Sequence, residues 1–393
     1  MRAAVLDGGR FAVRAHEDPV PGPGQALLET AACGICGSDL SAVAHTEDFL
    51  KASRDSGTTS FLFDPARPLV LGHEFSGRVL GYGPGASGPE PGTGVVALPW
   101  ALDGGGVLRT VGYSNAFPGG FGERVVVQAQ ALLPVPESLP LPLAALTEPL
   151  AVGFGNVARS SAGPGTPAVV VGCGPVGLGA VAALRERGAE PVVASDPSAL
   201  RRAAAARMGA HAVVDPAQQD PVELCGALAG KAARTGAGPG GAARPTVVVN
   251  CVGVPGMIDR LLHTVPRGTE ILQIGGVMTE DVIRPVVGIY KDVTLRMCLT
   301  YPPEEFAATL ARLADGRVDA AALVTGETGL EGLDAAFASL RRPEEHIKVL
   351  IRPGLTGAEL RHPAAGLHGG TAAGLHGGTA APVADLPHSW NKF

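Results

Sequence analysis

The sequence contains few cysteines and no uninterrupted apolar run long enough to cross a membrane. The six cysteines are scattered over 393 residues, unlike the dense cysteine framework of a small secreted disulfide scaffold. The longest apolar stretch, 168–184, is broken by five glycine or proline residues, so it predicts a strand, a turn and a helix. The N-terminal MRAAVLDGGR lacks the apolar core of a signal peptide. We therefore expect a cytoplasmic location and no membrane partner.

Basic charge is also sparse. Lysine and arginine number 31 against 37 acidic residues, which gives a formal charge of -6, and the sequence has no dense basic block. A protein that neutralises the phosphates of a nucleic acid needs such a block, so we expect no nucleic-acid partner. The chain length and the hydrophobic content of 46% suit two domains, each able to bury a core.

The apolar pattern divides the chain into two kinds of region. Up to about residue 150, short apolar runs between glycine and proline clusters predict a β-rich unit without a long helix. From residue 167, strands alternate with helices, which predicts a parallel sheet with right-handed crossovers and a doubly wound fold of about six strands. The predicted strands lie at 168–171, 192–195, 212–214, 246–251 and 270–274, and the predicted helices at 176–187, 199–208 and 257–265.

The last part of the chain changes character twice. Beyond residue 296, two predicted helices and two predicted strands could return to the first domain. After residue 353 the sequence becomes simple, and AAGLHGGT occurs twice, at 364–371 and 372–379. Such a repeat has too little apolar surface to offset its ordering entropy, so 354–393 are predicted to be a disordered tail. The alternative, a metal-binding arm, is disfavoured because spaced histidines in polar tails rarely bind anything specific; its histidines are His362, His368 and His376.

Three segments ahead of the alternating region carry residue types that bind metals. Cys36, His73 and Glu148 offer a thiolate, an imidazole and a carboxylate, the mixed set used by a catalytic zinc that keeps one coordination position open. Glu148 could instead be a solvated loop carboxylate, and a lone histidine is often a core residue. The Gly-His-Glu context favours a metal ligand at His73.

A glycine-rich turn at 171–177 joins the first strand of the alternating region to its helix. The backbone N–H groups of such a turn, together with the helix N-terminus, attract pyrophosphate. Gly172 permits the bend, Gly174 lets the pyrophosphate approach, and Gly177 lets the helix lie close to the strand. Pro175 suits the first helical turn because its missing N–H is not needed there. The amide of Val176 is then a predicted phosphate donor.

The end of the next strand indicates which dinucleotide binds. Asp196 follows Gly177 by 19 residues (196 minus 177), where a carboxylate accepts hydrogen bonds from the adenosine ribose. The same carboxylate repels a 2′-phosphate, so NAD is the expected cofactor. The nicotinamide half is expected at the ends of later strands, at Val252, Gly253, Ile274 and Gly275.

Five motifs together resemble the zinc-dependent medium-chain dehydrogenase/reductase superfamily, which includes alcohol and polyol dehydrogenases. They are CGICGSD at 33–39, GHEFSG at 72–77, TEPLAV at 147–152, VGCGPVGLG at 171–179 and HIKVLI at 346–351. The resemblance covers about residues 1–352. It implies an α/β fold in which a Rossmann doubly wound parallel sheet at 151–296 lies between two segments of a GroES-like β-rich catalytic domain, at 1–150 and 297–353.

The resemblance also assigns roles around the metal and the dinucleotide. The implied zinc ligands are Cys36, His73 and Glu148. Glu74 is implied as an exchanging ligand or as a group just behind the ligands. Asp39 would orient the ligand histidine, and Ser38 would accept the proton of the substrate alcohol. Arg201 matches a basic position that contacts the adenosine ribose, which leaves NADP use possible.

The sequence departs from the superfamily pattern in three places. Ser41 stands where the proton relay usually continues with a histidine. Residues 95–124 contain no cysteine, and a closed structural site needs four ligands, so we expect one catalytic zinc and no structural zinc. The segment between the first two ligands is longer than usual and carries three phenylalanines that could line the substrate pocket or pack on the β-core. These are Phe49, Phe61 and Phe63.

These features predict a zinc-dependent oxidoreductase that transfers a hydride between an alcohol and NAD. In the superfamily that the chain resembles, a glutamate third ligand is more common in polyol, sugar and secondary-alcohol dehydrogenases, so the resemblance implies a secondary alcohol or a polyol as substrate. The rival interpretations are a zinc-free enoyl or quinone reductase of the same fold and a noncatalytic NAD-binding protein. The superfamily usually forms homodimers or homotetramers, so one of these assemblies is expected.

Overall fold

The structure is a computed structural model that describes residues 1–236 and 245–363. Its strands are, in chain order, β1 (Arg2–Asp7), β2 (Arg10–Ala15), β3 (Gln25–Gly34), β4 (Glu74–Tyr82), β5 (Gly94–Ala97), β6 (Trp100–Leu102), β7 (Leu108–Thr110), β8 (Arg124–Gln128), β9 (Leu132–Pro134), β10 (Ala168–Val171), β11 (Val192–Ser195), β12 (Ala212–Val214), β13 (Val247–Asn250), β14 (Glu270–Gln273), β15 (Thr294–Met297), β16 (Val324–Thr328) and β17 (Lys348–Ile351). The helices are α1 (Gly37–Ala44), α2 (Thr46–Asp55), α3 (Leu141–Ala144), α4 (Thr147–Ala158), α5 (Pro175–Glu186), α6 (Ala199–Arg207), α7 (Pro221–Gly236), α8 (Met257–Thr264), α9 (Pro285–Lys291), α10 (Pro303–Ala314) and α11 (Leu333–Leu340).

The first part of the chain forms a seven-stranded, largely antiparallel sheet. Its order is β16-β17-β3-β4-β5-β9, and β8 also pairs with β3. The two strands from the end of the chain therefore complete the sheet that the N-terminal segment begins. In the register of β3 and β4, Gly34 lies opposite Glu74. This pairing brings the end of β3 and the start of β4 together, and the metal-ligand candidates lie at that junction.

The middle of the chain forms a six-stranded parallel sheet in the order β12-β11-β10-β13-β14-β15. Its central strands are short, buried and mostly aliphatic, such as Ala168–Val171 and Val247–Asn250, as a sheet covered by helices on both faces requires. The strand order reverses beside β10, which opens a crevice at the carboxyl ends of β10 and β13. The predicted fold class is confirmed, and the predicted strands of this sheet agree with the observed strands within one residue at each end.

Helices α1 and α2 lie in the region that the sequence predicted to be a β-rich unit without a long helix. Helices α1 and α2 have only eight and ten residues. The apolar face of α2 consists of Phe49 and Leu50 with the small Ser53, too few residues to produce a clear helical period in the sequence. Both helices lie between the first two predicted zinc ligands and account for the long spacing there.

Helix α4 links the two sheets and crosses the expected domain boundary at residue 150. It packs closely on α5, because a Cβ on Gly153 would lie 2.4 Å from the carbonyl oxygen of Val176. The stretch Leu141–Ala158 is long and apolar enough to span a membrane, but 72% of it is buried inside the protein. Core helices of globular proteins have the same composition.

The ordered chain continues beyond the predicted start of the tail at residue 354. The backbones of Glu327 and Arg361 exchange two hydrogen bonds of 2.9 and 3.1 Å, so this stretch extends the seven-stranded sheet by one bridge. The prediction of a tail from 354 is therefore wrong for this stretch, because the backbone pairing holds it against β16. Residues 364–393, which contain both copies of the repeat, lie outside the described residues.

Candidate metal centre and dinucleotide site

Three potential metal ligands converge where β3 ends and β4 begins. Cys36, His73 and Glu74 each offer a ligand atom, and these atoms all lie within 4.8 Å of one another. Cys36 is the residue that precedes α1, and His73 and Glu74 lie at the start of β4. The strand pairing described above thus brings together two segments that are more than thirty positions apart in the sequence.

Asp39 lies close to both Cys36 and His73. Its Oδ2 accepts the Cys36 N–H at 2.9 Å, and its Oδ1 lies 3.5 Å from His73 Nδ1. The carboxylate is fully buried. Burial disfavours the imidazolium, but the charges of Asp39 and Cys36 outweigh it and raise the pKa of His73 well above its ordinary value. Asp39 therefore lies where a residue that orients the ligand histidine is needed.

A buried lysine lies behind the metal-ligand group. Lys348 of β17 donates a hydrogen bond of 2.6 Å to Glu74 Oε2 and one of 2.7 Å to the carbonyl oxygen of Ile35. Burial alone would lower the pKa of Lys348, but the Glu74 carboxylate raises it, so the ammonium keeps its charge. The other carboxylate oxygen, Glu74 Oε1, is buried and has no hydrogen-bond partner among the residues that the structure describes. That oxygen is available to a metal ion.

Glu148, the expected third ligand, lies beside the three-residue group but is not one of its members. It occupies the first turn of α4, and its Oε1 accepts a hydrogen bond of 3.0 Å from the Tyr301 hydroxyl. Burial raises the pKa of Glu148 to about 7, while the nearby charge of His73 acts in the opposite direction. The Tyr301 hydroxyl thus engages the Glu148 carboxylate beside the group that Cys36, His73 and Glu74 form.

The donor set fits zinc. A thiolate, an imidazole and a carboxylate in one small group are the ligand types of a catalytic zinc. A buried carboxylate oxygen without a partner is costly unless a cation or a hydrogen-bond donor approaches it, and Glu74 Oε1 is such an atom. Cys36 is partly exposed, so the group is reachable from outside.

Ser38 is connected to this centre through a tyrosine that the sequence analysis did not select. The hydroxyl of Tyr113 lies 2.9 Å from Ser38 Oγ and 2.9 Å from Asp39 Oδ1. Burial raises the pKa of Tyr113 well above its ordinary value, so the phenol stays protonated. Its ring packs against Phe49 and Phe61, with centroid distances of 5.4 and 5.7 Å.

The long segment between Cys36 and His73 supplies those phenylalanines. Phe49 and Phe63 are buried in the core of the β-rich domain, and Phe61 packs partly buried against the same core. The core-packing alternative therefore holds for all three. Phe49 and Phe61 also contact the Tyr113 ring and so help to hold its phenol beside Ser38.

The glycine-rich turn has the geometry that its sequence predicts. Gly172 adopts a φ of 89°, in the region that favours glycine. A Cβ on Gly177 would lie 1.9 Å from the Gly172 carbonyl oxygen, so only glycine lets α5 begin this close to β10. Within residues 1–236 and 245–363, no atom beyond its chain neighbours lies within 4 Å of the Cβ position of Gly174, the residue that precedes α5. Pro175 is the first residue of α5 and Val176 the second.

Asp196 is tied to the glycine-rich turn. Its Oδ2 accepts the N–H of Cys173 and its Oδ1 accepts the N–H of Ser198, both at 2.8 Å. Each carboxylate oxygen can accept a further hydrogen bond. Arg201 points elsewhere, since its Nη2 donates to the carbonyl oxygen of His346 at 3.2 Å. It is Arg202 that contacts the Asp196 backbone, because its Nη1 donates a hydrogen bond of 2.7 Å to the Asp196 carbonyl oxygen.

The predicted nicotinamide segments lie against each other at the ends of β13 and β14. A Cβ on Gly275 would lie 2.3 Å from the carbonyl carbon of Val252, and one on Gly253 would lie 2.1 Å from the Gly276 carbonyl oxygen. Ile274 and Gly275 also line a cavity of ≈ 360 Å³. The four predicted residues therefore share one edge of the sheet with the glycine-rich turn.

Comparison with known proteins identifies the family. Residues 22–137 match the alcohol dehydrogenase GroES-like domain, and residues 175–315 match the zinc-binding dehydrogenase family. The chain is 31% identical over 354 residues to (R,R)-butanediol dehydrogenase of Bacillus subtilis (strain 168), which covers 86% of this chain and 95% of that protein. The chain belongs to the zinc-binding dehydrogenase family.

A further relative and a crystal structure of a butanediol dehydrogenase support the assignment of this chain to the zinc-binding dehydrogenases. Sorbitol dehydrogenase of Bacillus subtilis (strain 168) is 29% identical over 374 residues, with coverage of 90% of this chain and 97% of that protein. The crystal structure of 2R,3R-butanediol dehydrogenase from Bacillus subtilis aligns with a TM-score of 0.72 and 28% identity, over 90% of this chain and 99% of that chain. These comparisons confirm the resemblance to the medium-chain dehydrogenases, which the sequence motifs predicted.

Three residues of this zinc-binding dehydrogenase were missed because they come from distant segments. Lys348 lies within the quoted HIKVLI motif, and a lysine in an otherwise apolar strand was a usable signal for a buried ion pair. Tyr113 and Tyr301 gave no such signal, since nothing in the sequence places them beside Ser38 and Glu148.

Proposed function

We propose that this chain oxidises a secondary alcohol, a diol or a polyol to the corresponding carbonyl compound, with NAD as the hydride acceptor. The convergence of Cys36, His73 and Glu74 beside Ser38 carries this proposal. The names of two relatives, butanediol dehydrogenase and sorbitol dehydrogenase, support a substrate with neighbouring hydroxyl groups. A cytoplasmic location and the absence of a nucleic-acid or membrane partner stay predictions.

In this proposal, some residues of the centre hold zinc and others position the substrate. Cys36, His73 and Glu74 would hold the metal, and Glu148 lies beside these three residues as a second carboxylate. When bound, zinc supplies a Lewis acid that lowers the pKa of the alcohol, and the nicotinamide accepts the hydride. Ser38 accepts a hydrogen bond from the substrate hydroxyl. The buried ion pair of Lys348 with Glu74 fixes the carboxylate in place.

The proposed stoichiometry is one zinc per subunit, in a homodimer or a homotetramer. The absence of cysteine between residues 95 and 124 supports a single site. Strand β15 lies at the edge of its sheet, and an unpaired edge can pair with another chain. Large apolar side chains on and near this edge are exposed, which supports a contact with a second subunit; they are Ile289, Tyr290, Met297 and Leu299.

The direct test of this function is turnover with a panel of alcohols. The purified zinc-loaded protein is assayed for NAD reduction with vicinal diols, polyols, other secondary alcohols and primary alcohols. The proposal predicts the highest kcat/KM among the first three classes. Enoyl or quinone reduction without alcohol oxidation would favour the zinc-free reductase instead.

Asp196 is expected to make the enzyme prefer NAD over NADP. Asp196→Asn keeps an acceptor oxygen but removes the charge that repels a 2′-phosphate, so the ratio of kcat/KM for NAD to that for NADP should fall by about tenfold or more. The matched control is Asp215→Asn, because Asp215 pairs with Arg202 at 3.4 Å without holding the glycine-rich turn. Wild-type enzyme that already prefers NADP would contradict the assignment.

Zinc uptake by the metal-free protein is expected to weaken as the pH falls through about 7. The pKa of Glu148 is about 7 and that of His73 is raised, so both groups carry protons at low pH that a nearby Zn²⁺ must expel. Each proton released weakens the apparent affinity about tenfold per pH unit below the pKa. Competition titrations with a zinc indicator between pH 6 and 8 measure this.

The control for the pH titration is Glu148→Gln. This variant should release about one proton fewer per zinc bound and should show a shallower slope below pH 7. A zinc affinity that does not change between pH 6 and 7 in the wild type would show that these groups are not coupled to the metal.

A further inference from the structure

Three side chains beside the metal-ligand group form one hydrogen-bonded chain. Tyr113 Oη lies between Ser38 Oγ and Asp39 Oδ1, at 2.9 Å from each. Tyr113 and Asp39 are buried, with exposed fractions of 1% and 0%, whereas Ser38 is partly exposed. The chain therefore runs from the interior to the surface of the site and ends at Ser38.

The chemistry of the three groups fixes the direction of the hydrogen bonds. The phenol has one proton, and an ionised carboxylate can only accept. If Tyr113 donated to Ser38, two acceptor oxygens would face each other 2.9 Å apart at Asp39. Tyr113 must therefore donate to Asp39, and Ser38 must donate to Tyr113. Asp39 is suited to the acceptor role, because its other oxygen accepts the Cys36 N–H.

The position of Tyr113 is firmly held. Gly112, which precedes it, has a φ of 89°, and a Cβ there would lie 2.9 Å from the carbonyl oxygen of Gly72. This segment therefore packs directly on the residue before His73. Phe49 and Phe61 flank the phenol ring. The hydroxyl cannot swing away from Ser38 without disturbing these contacts.

We propose that Tyr113 is a positioning residue that turns the Ser38 proton inward, so that Ser38 presents only acceptor lone pairs to the substrate. The proposal rests on the proposed alcohol oxidation and concerns how that site selects its ligand. A hydroxyl group that donates to Ser38 is bound well, and a ligand that can only accept a hydrogen bond is not. The residue at the expected relay position, Ser41, is not needed for this arrangement.

The experiment compares two small ligands on the zinc-loaded enzyme with Tyr113→Phe. Trifluoroethanol, which donates a hydrogen bond, is titrated into the NAD complex, and dimethyl sulfoxide, which only accepts, is titrated into the NADH complex. In the variant the affinity for trifluoroethanol should fall by about tenfold, because Ser38 loses its fixed direction. The affinity for dimethyl sulfoxide should not fall, since the freed Ser38 proton can turn outward.

Steady-state kinetics add a second readout. The kcat/KM for the alcohol substrate should fall by about tenfold or more in Tyr113→Phe. Adding Tyr113→Phe to Ser38→Ala should cause no further loss of kcat/KM, because both substitutions remove the same function, the oriented hydroxyl of Ser38. The control is Tyr82→Phe, since the Tyr82 hydroxyl donates to the Pro89 carbonyl oxygen at 2.6 Å in the same domain. That variant should match the wild type.

Zinc content and melting temperature show whether Tyr113→Phe is folded and loaded. If it is not, Ser38→Ala tests the same claim, because it should lose affinity for trifluoroethanol and keep its affinity for dimethyl sulfoxide. If Tyr113→Phe loses affinity equally for both ligands, Tyr113 has only a packing role. If Tyr113→Phe loses affinity for neither ligand, another group orients Ser38. Both results overturn the proposal. Wild-type protein without zinc-dependent alcohol oxidation would instead overturn the proposed function.

Discussion

Replacing Cys36 by serine is expected to lower alcohol oxidation by more than about 10³-fold, because the site loses its thiolate and with it the tightly held metal. The fold should survive, since Cys36 is partly exposed and its backbone N–H can still donate to Asp39. NAD binding should stay within about twofold, because the glycine-rich turn and Asp196 belong to the other sheet. Turnover, zinc content and NAD affinity of the same preparation measure the three effects.

A matched control for Cys36→Ser is Cys225→Ala. Cys225 is also a free cysteine, but it is buried beneath the parallel sheet, with its sulfur 3.6 Å from the carbonyl oxygen of Ala168. This variant should keep its zinc and its turnover. A Cys36→Ser protein that keeps both full zinc and full activity would show that the thiolate is not a ligand.

The two carboxylates beside Cys36 and His73 are expected to differ strongly when each is neutralised. Glu74→Gln should weaken zinc binding by more than about 100-fold, because it removes the charge of the carboxylate grouped with the other ligands. Glu148→Gln should weaken it by about tenfold or less, because that carboxylate lies beside the group and is engaged by Tyr301. Zinc dissociation constants of the two isosteric variants measure the difference.

Glutamine is the appropriate replacement at Glu74. Truncation to alanine would leave Lys348 as a buried charge without its partner, which typically costs about 3–5 kcal/mol, and the protein could unfold for that reason alone. Glutamine keeps an acceptor oxygen for the ammonium. A Glu148→Gln protein that loses zinc while Glu74→Gln keeps it would restore Glu148 as the third ligand, as the family resemblance implied.

Five of the six strands of the parallel sheet could be predicted closely from the sequence because they are marked locally, whereas the edge strand β15 was not predicted. The run Ala168–Val171 is apolar and is followed at once by the glycine-rich turn, and Asp196 follows the next such run. Each signal spans only a few residues. By contrast, α1 and α2 are short and bury few side chains, so the pattern of buried residues could not distinguish them from loops.

The details of the metal centre depend on contacts between distant segments. Cys36, His73 and both candidate carboxylates could be selected from local motifs, but the choice between Glu74 and Glu148 could not. The position of each carboxylate depends on a distant residue, because Glu74 is held by Lys348, 274 positions later, and Glu148 by Tyr301, 153 positions later. Local sequence patterns contain no information about such pairs.

Zinc content of the purified protein, measured by elemental analysis together with alcohol-dependent NAD reduction, tests the central claim most directly. The proposed function predicts about one zinc per subunit, loss of turnover when a chelator removes it, and recovery of turnover when zinc is restored. Protein that contains no zinc, takes up none on reconstitution and is unaffected by the chelator would contradict the proposed function and leave the zinc-free reductase as the better interpretation.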